Sequence, residues 1–528
     1  LAFPYMLLGK YDKGILEAEK GLSLAPNYAG GYFALGAVLA TAGRHQEAIP
    51  IFKKCLRLSP VPVHSQVLGL LATSYSSLGQ FEEAIATYKK VLHVYGPDQL
   101  PAHLGLAGTY AIMGREKEAR AEGAEVMRID PEFSVERYLK SRPYNQSRKD
   151  FIAGVLRKAG LPYTPPLPLP DKPSIAVLAF DNLSGDPEQE YFSDGITEEI
   201  ISALSKTDQL FVIARNSSFV YKGKPVNVKQ VSRELGVRYV LEGSVRISED
   251  RVRITAQLID AISGHHLWAE RYDHDLKDIF ALQDEITIKI VSSLQIELTE
   301  GEQARMWAKG SKSLDVKLKT MKLLSLWRED TIESHMLHGQ LSQELIDMAP
   351  GYPGGYLSLG WYHWYLALTL GKSPKENLTK AFNLAQKVLS MDESNADAYA
   401  LLGSIYMLMR QHDKAIVAGK RSIELQPNGA MVHGLLGFTL HFAGQPDDAI
   451  GYLSKGIRLN PFPASWYFQH LGSCYSMKGQ YEKALELYQK AYMRSPDNFV
   501  IHLLLAATYV ELEQQEEAEA AAKKALEL

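Results

Sequence analysis

Cysteine is scarce in this chain: two residues, Cys55 and Cys474, among 528. They lie far apart, which excludes a disulfide framework as the organising principle, and both read as buried thiols. Nothing in them calls for an oxidising compartment. Basic charge is not in excess either: 57 Lys and Arg stand against 61 Asp and Glu, a formal net charge of −4. Readers of nucleic acid and of anionic membranes are usually basic, so neither partner is expected. No run of ~18 apolar residues is present, so no membrane span is expected. No signal peptide opens the chain, and the expected location is the cytoplasm.

Catalytic signatures are missing as well. No G-x-G-x-x-G follows an expected strand, and there is no phosphate-binding GxxxxGK[ST], no GxSxG and no HExxH. His265-His266 sits at a turn beside Gly264, with no further Cys or His at ligand spacing. His335 and His338 share an expected helix but lack a third ligand. Asp273, Asp275 and Asp278 read as a solvated loop leading into a helix N-terminus, where carboxylates favour the dipole. The segment is therefore read as non-enzymatic, with no catalytic residue, no metal and no cofactor.

What the chain does have is a register. Leu35-Gly36, Leu39, Gly43, Ala48, Phe52, Cys55 and Pro60 recur as Leu71-Ala72, Tyr75, Gly79, Ala84, Tyr88 and Val91. They recur again as Leu106-Ala107, Tyr110, Gly114, Ala119, Gly123, Val126 and Pro131. A self-similar unit of about 34 residues made of two short helices is the signature of a solenoid. The pattern returns late in the chain, for example at Leu436-Gly437, Gly444, Ala449, Pro461 and at Leu471-Gly472, Tyr475, Gly479, Ala484, Tyr488, Pro496. Small residues at the eighth and twentieth positions let helix axes approach closely. Gly near the fifteenth ends the first helix, and Pro near the thirty-second ends the second. Both chain ends cut through a repeat, which reads as part of a longer protein.

On these residues the register resembles the tetratricopeptide repeat. That resemblance implies concave grooves lined by positions 2, 5, 9 and 12 of each first helix. In the late zone these include Met407, Phe438, His441, Trp466, Gln469 and Ser473, with Phe442 adjacent. An apolar, aromatic groove of this kind suits a peptide or helix partner. The early groove carries smaller side chains: Phe33, Ala37, Gly69, Thr73, Leu104 and Gly108. The Lys and Asn residues of the clamp for acidic C-terminal tails are absent at the matching positions. Asp150–Ala159 is expected to close the early solenoid. Helices from about Leu314 to Met348 are expected to form a degenerate first repeat of the late one.

Between the two zones the texture changes. Residues 161–173 are a Pro-rich linker. Strands are expected at Ser174–Phe180, Leu210–Ala214, Tyr239–Ile247, Arg251–Asp260 and His266–Tyr272. Helices are expected at Tyr191–Ser205, Val226–Leu235 and Phe280–Leu298. Alternating strands and helices ending in a hairpin imply a small α/β domain with a mixed sheet. The stretches "SIAVLAFDNLSGDPEQEYFSDGITEEI" and "VSRELGVRYVLEGSVR" resemble the TolB amino-terminal-like domain. Among bacterial proteins that resemblance implies a regulatory segment of the kind attached to class III nucleotide cyclases or winged-helix regulators. Ligands on open α/β sheets often bind at strand carboxyl ends, which makes Asp181, Asp186, Asp194, Arg215 and Asn216 the candidate ligand edge.

The expected architecture is mainly α: solenoid 1–160, linker 161–173, α/β domain 174–300 and solenoid 301–528. The expected function is a non-enzymatic scaffold or regulatory segment that binds protein partners in its grooves and self-assembles through uncapped ends. The alternative is a sensor-transducer segment whose α/β domain binds a small ligand.

Overall fold

The computed structural model describes residues 2–59, 65–140, 142, 144, 146–225, 227–296, 313–329 and 331–528. Pro60 of the register, the last residues of the expected helix Phe280–Leu298 and the start of the expected second solenoid lie outside the described residues. The chain falls into two compact units, Leu1–Pro166 and Leu167–Leu528.

The first unit is a stack of helix pairs: Ala29–Thr41 with His45–Leu58, Ser65–Ser77 with Phe81–Tyr95, and Leu100–Ile112 with Glu116–Ile129. Ala2–Leu7 and Tyr11–Leu24 precede them. The register positions carry the packing: Ala48, Ala84 and Ala119 are completely buried. Close approach has a visible cause, since a Cβ on Gly105 would stand 2.2 Å from the Tyr88 ring. The turns at Gly43, Gly79 and Gly114 all have positive φ, between 74° and 82°.

The closing helix runs Gln146–Lys158, four residues earlier at its start than the apolar pattern indicates. It does more than cap the stack. Val155 and Leu156 approach Gly108, at 3.8 and 3.9 Å from the position of an added Cβ. Leu156 is buried in one cluster with Leu104, Phe133 and Leu139. Arg148, near the other end of the helix, acts electrostatically on His45. Tyr138 and Tyr144 act on the Tyr88 hydroxyl, which bonds Thr73. Leu104, Gly108 and Thr73 are groove positions, so this unit's own chain lies along its concave side. The exit segment is tied back by Val135 N–H to Pro162 O and Glu136 N–H to Tyr163 O, both 2.9 Å.

The second unit opens with a six-stranded mixed sheet: β1 Ser174–Val177, β2 Asp181–Asn182, β3 Phe211–Val212, β4 Tyr239–Ser248, β5 Arg251–Asp260 and β6 His266–Asp275. The order is β3-β1-β4-β5-β6, with β2 also paired to β4; pairs are parallel up to β4 and antiparallel beyond it. Two features differ from expectation. Asp181 and Asn182, outside every expected strand, form a short strand beside Ser244 and Val245. β6 continues through Asp273, whose carboxylate pairs with Arg251 and Arg253 across the hairpin.

Period-two alternation sends side chains to two different covers. Ile175, Val177, Val212 and Leu241 face the helices Glu190–Leu204 and Ile279–Ser293. Ala176, Leu178, Phe211, Ile213 and Val240 face the helix Val228–Leu235. On the helix Glu190–Leu204 the apolar stripe Phe192, Ile196, Ile200, Leu204 is at most 1% exposed.

Among the described residues six helix pairs follow, from Leu314–Glu329 with Ile332–Met348 to Phe499–Glu511 with Gln515–Glu527. The second pair has longer helices than those that follow it, Pro353–Leu368 and Pro374–Met391. At the close-packed eighth position, a Cβ on Gly472 would meet the Tyr488 ring at 2.7 Å. Gly472→Leu is expected to cost about 1–3 kcal/mol through overpacking. An unchanged thermal unfolding curve would contradict that packing.

Both cysteines are buried and free, at 3% and 0% exposure for Cys55 and Cys474. Among the described residues no helix is long and apolar enough to cross a membrane.

Candidate functional site

The candidate residues lie in two places: the groove of the second array and the edge of the sheet.

The groove is built by adjacent first helices, Ala430–Phe442 and Ser465–Met477. Helical periodicity puts Phe438, His441 and Phe442 on one side and Trp466 and His470 opposite. His470 is the hub. Its ring centroid lies 4.4 Å from Phe438, 5.2 Å from His441 and 5.7 Å from Phe442. Phe438 meets Phe442 edge-on at 4.9 Å, and Trp466 stacks on Tyr467 at 3.8 Å. Phe442 and Met477 are each 53% exposed, so the cluster opens to solvent at the end near the helix–helix turns. Gln469 and Met407 are buried, and Ser473 accepts the Tyr488 hydroxyl at 3.1 Å. The register names Phe438, His441 and Trp466, with Phe442 adjacent, but not His470, which falls one position beyond Gln469. Its i+4 spacing from Trp466 was the available signal.

Burial and the neighbouring His441 push the His470 pKa down to about 3, and burial lowers that of His441. Both imidazoles are neutral at pH 7, so the patch is apolar. The folded pKa of His470 lies below its ordinary 6.5, so the unfolded chain takes up the proton more readily. The stability the neutral ring supplies is complete above pH 6.5 and is lost as the pH falls towards 3. The slope is at most about 1.4 kcal/mol per pH unit. His470→Phe is expected to flatten this acid limb when urea midpoints are followed from pH 7 to 4. Equal pH dependence in both proteins would contradict it.

At the sheet's carboxyl edge the candidates separate. Asp194 is buried, with Arg215 Nη2 3.5 Å from one carboxylate oxygen and Lys222 Nζ paired to the other. Arg215 also reaches Glu198 at 3.3 Å, and Lys222 reaches Glu190 at 2.6 Å. These charges hold the helix Glu190–Leu204 against the short helix Arg215–Ser218. Asp186 and Asp181 do not join them. Asp186 caps the turn Pro187–Gln189 through Glu188 N–H, and Asp181 and Asn216 are exposed. The five residues therefore form a buried charge pair with three outliers, not one converging pocket. His335 stacks on Tyr365 at 3.8 Å and faces Trp327 at 4.8 Å, a packing role. Among the described residues no three His, Cys, Asp or Glu side chains are grouped to hold a metal.

The array also clasps the sheet. Ala430, Leu459 and Phe462 complete the cluster on one face, and Met321 enters the cluster on the other. Polar contacts run through the inter-repeat loops. Asn428 Nδ2 donates to Thr207 O and Leu210 O at 2.6 and 2.7 Å, and Ala214 N–H donates to Leu459 O at 2.8 Å. Ser217 donates to Asn460 at 2.6 Å. Arg458 Nη1 donates to Leu235 O at 3.0 Å, and its Nη2 donates to Pro168 O and Gly236 O, both at 2.8 Å. The guanidinium thereby caps the carboxyl end of Val228–Leu235, where carbonyls lack helix partners and the dipole favours a cation. None of these residues stood out in the register. The signal was an Asn beside the register Pro in two successive repeats, Pro427-Asn428 and Asn460-Pro461.

The clasp uses the loop edge of the array and leaves the aromatic groove uncovered by the sheet. Tetratricopeptide-repeat profiles match residues 27–95 and 70–132 of the first unit, and 396–428, 442–499 and 477–528 of the second. Both arrays are built from tetratricopeptide repeats. The chain is 48% identical over 261 residues to putative adenylate cyclase 3 of Rhizobium meliloti strain 1021, covering 48% of this chain and 43% of that protein. It is 25% identical over 154 residues to the human antiviral innate immune response effector IFIT1, covering 28% and 31% of the two chains. The chain thus spans less than half the length of these curated relatives. Among solved structures, MamA aligns with 27% identity and a TM-score of 0.27, covering 29% of this chain and 89% of its own. A thermophilic repeat protein of Thermus thermophilus aligns with 17% identity and a TM-score of 0.31, covering 37% and 99%. Tetratricopeptide solenoids offer extended concave surfaces to other proteins.

Proposed function

We propose that this segment is a non-catalytic interaction module that takes an amphipathic helix or apolar peptide of a partner protein in the groove of its second array. The observation that carries this reading is the neutral ring cluster of Phe438, Phe442, Trp466 and His470, with Phe442 53% exposed. Aromatic anchors in a concave setting are where binding energy concentrates. The first array supports the choice by contrast, because Leu104 and Gly108 already lie against the chain's own helix Gln146–Lys158.

The full chain and its Phe438→Ala and Trp466→Ala variants test this in a quantitative pull-down. Loss of one hot-spot ring costs about 2 kcal/mol or more, so each variant should retain its partner about 30-fold less well. Equal recovery by all three proteins would dismiss the groove.

A second reading rests on the relative named a putative adenylate cyclase and on the resemblance of residues 173–300 to the TolB amino-terminal-like domain. Here the segment regulates a cyclase domain, with the sheet as sensor and the clasped array as output. Fusing the segment to its native neighbours and assaying cyclic nucleotide formation distinguishes the two: only this reading requires Arg458→Ala to alter the rate.

A further inference from the structure

At the amino-terminal edge of the sheet, away from the candidates at its carboxyl end, cations converge on one ring. Lys172 stands two residues before β1, and Phe211 opens β3. Lys455 and Arg458 lie one turn apart on the array helix Pro446–Leu459. The Lys455 ammonium is 5.2 Å and the Arg458 guanidinium 4.5 Å from the Phe211 ring centroid. Arg458 is committed to three carbonyls, and Lys172 donates to the Asp208 carbonyl. Lys455 differs. It is half-buried, yet it makes no hydrogen bond or ion pair with any described residue.

Lys172 and Arg458 repel Lys455, and His433 on the neighbouring helix Ala430–Phe442 feels its charge. The Asp208 carboxylate acts on Lys172. An aromatic face relieves part of an ammonium's desolvation but supplies no counter-charge. The seam therefore gathers positive charge that its own side chains leave uncompensated at Lys455.

We propose that Lys455 and Lys172 form a binding site for a phosphate group, borne either by inorganic phosphate or by a phosphorylated small molecule. A dianion at the Lys455 ammonium, held also by the Lys172 charge that acts on it, supplies the missing counter-charge, and lysine holds phosphate as a point charge without demanding a planar fork. The site touches the linker, β3 and the array at once, so occupancy favours the clasped arrangement by mass action.

Equilibrium dialysis of radiolabelled inorganic phosphate against the full chain tests this at fixed ionic strength. Parallel arms with glycerol phosphate, a nucleoside monophosphate and chloride separate the sources. The expected result is saturable binding near one equivalent, about ten-fold weaker in Lys455→Met and partly recovered in Lys455→Arg. Methionine keeps the stem against Phe211 while removing the charge. Lys172→Met should weaken binding independently. Tighter binding of a phosphomonoester than of phosphate assigns the natural ligand to a metabolite; the reverse assigns it to phosphate itself. No saturable binding in any phosphate arm overturns the proposal, as does binding unaltered in both methionine variants.

Discussion

Arg458→Ala is expected to loosen the second unit at one identifiable place. It removes three bonds, to Leu235 O, Gly236 O and Pro168 O, and leaves the carboxyl end of Val228–Leu235 without its cation. Hydrogen bonds from a charged donor contribute about 1.5–3 kcal/mol each and are not additive, so a loss of about 3 kcal/mol is the working figure. Gly236 adds to the case. It has φ +63°, and an added Cβ would stand 2.6 Å from Arg458 Nη2 and 2.9 Å from Pro168 O. The backbone there is shaped to receive the guanidinium. Native-state hydrogen exchange by mass spectrometry is the appropriate readout, because a chain of several units need not unfold in one step. Protection should fall at Val228–Leu235 and at Phe211–Val212 and remain in Phe499–Glu511. Arg458→Lys should recover only part of it. Uniform protection in Arg458→Ala would mean the clasp is held by its apolar contacts alone.

The second large effect is expected in the first unit. Leu156 is 3% exposed among Leu104, Phe133 and Leu139, so Leu156→Asp buries a carboxylate in an apolar cluster. The cost of doing so exceeds a few kcal/mol, and the helix should leave the groove instead. Exchange in Gln146–Lys158 is then expected to accelerate by about 100-fold or more, with Ser65–Ser77 and Phe81–Tyr95 still protected. Loss of protection throughout the unit would show that the helix is part of the array's core and not an occupant of its concave side. Unchanged exchange would contradict its packing altogether.

The parts of this structure that were legible in the sequence are those fixed by short-range periodicity. Gly36, Ala48 and Phe52 sit at fixed offsets because two helices must approach there, and each repeat restates the rule. The strands read equally well where Val252, Ile254, Ala256 and Leu258 alternate, and all four are fully buried. What escaped was set by long-range contacts. Asp181–Asn182 carries no strand-like pattern; its pairing with β4 depends on a neighbour more than sixty residues away. Arg458 looks like any cation in a last turn, and only the docked sheet gives it three carbonyls. The carboxylate candidates lie apart for a related reason: Asp181, Asp186 and Asp194 are close in sequence, yet one begins a strand, one caps a turn and one pairs with Arg215 and Lys222. The groove was half-legible. Repeat offsets located its rings, but the central place of His470 needed the crossing of two helices.

In the function we propose, the second array's ring cluster receives a partner while the first array's groove is filled by its own chain. A photo-crosslinking phenylalanine analogue placed at Phe442 in one full-length chain, and at Leu104 in another, tests both halves in the cells that make the protein. Phe442 is expected to join a second polypeptide, with the crosslink abolished by Trp466→Ala, while Leu104 is expected to join only peptides from 133–161 of its own chain. Crosslinks from Leu104 to another protein, with none from Phe442, would contradict it.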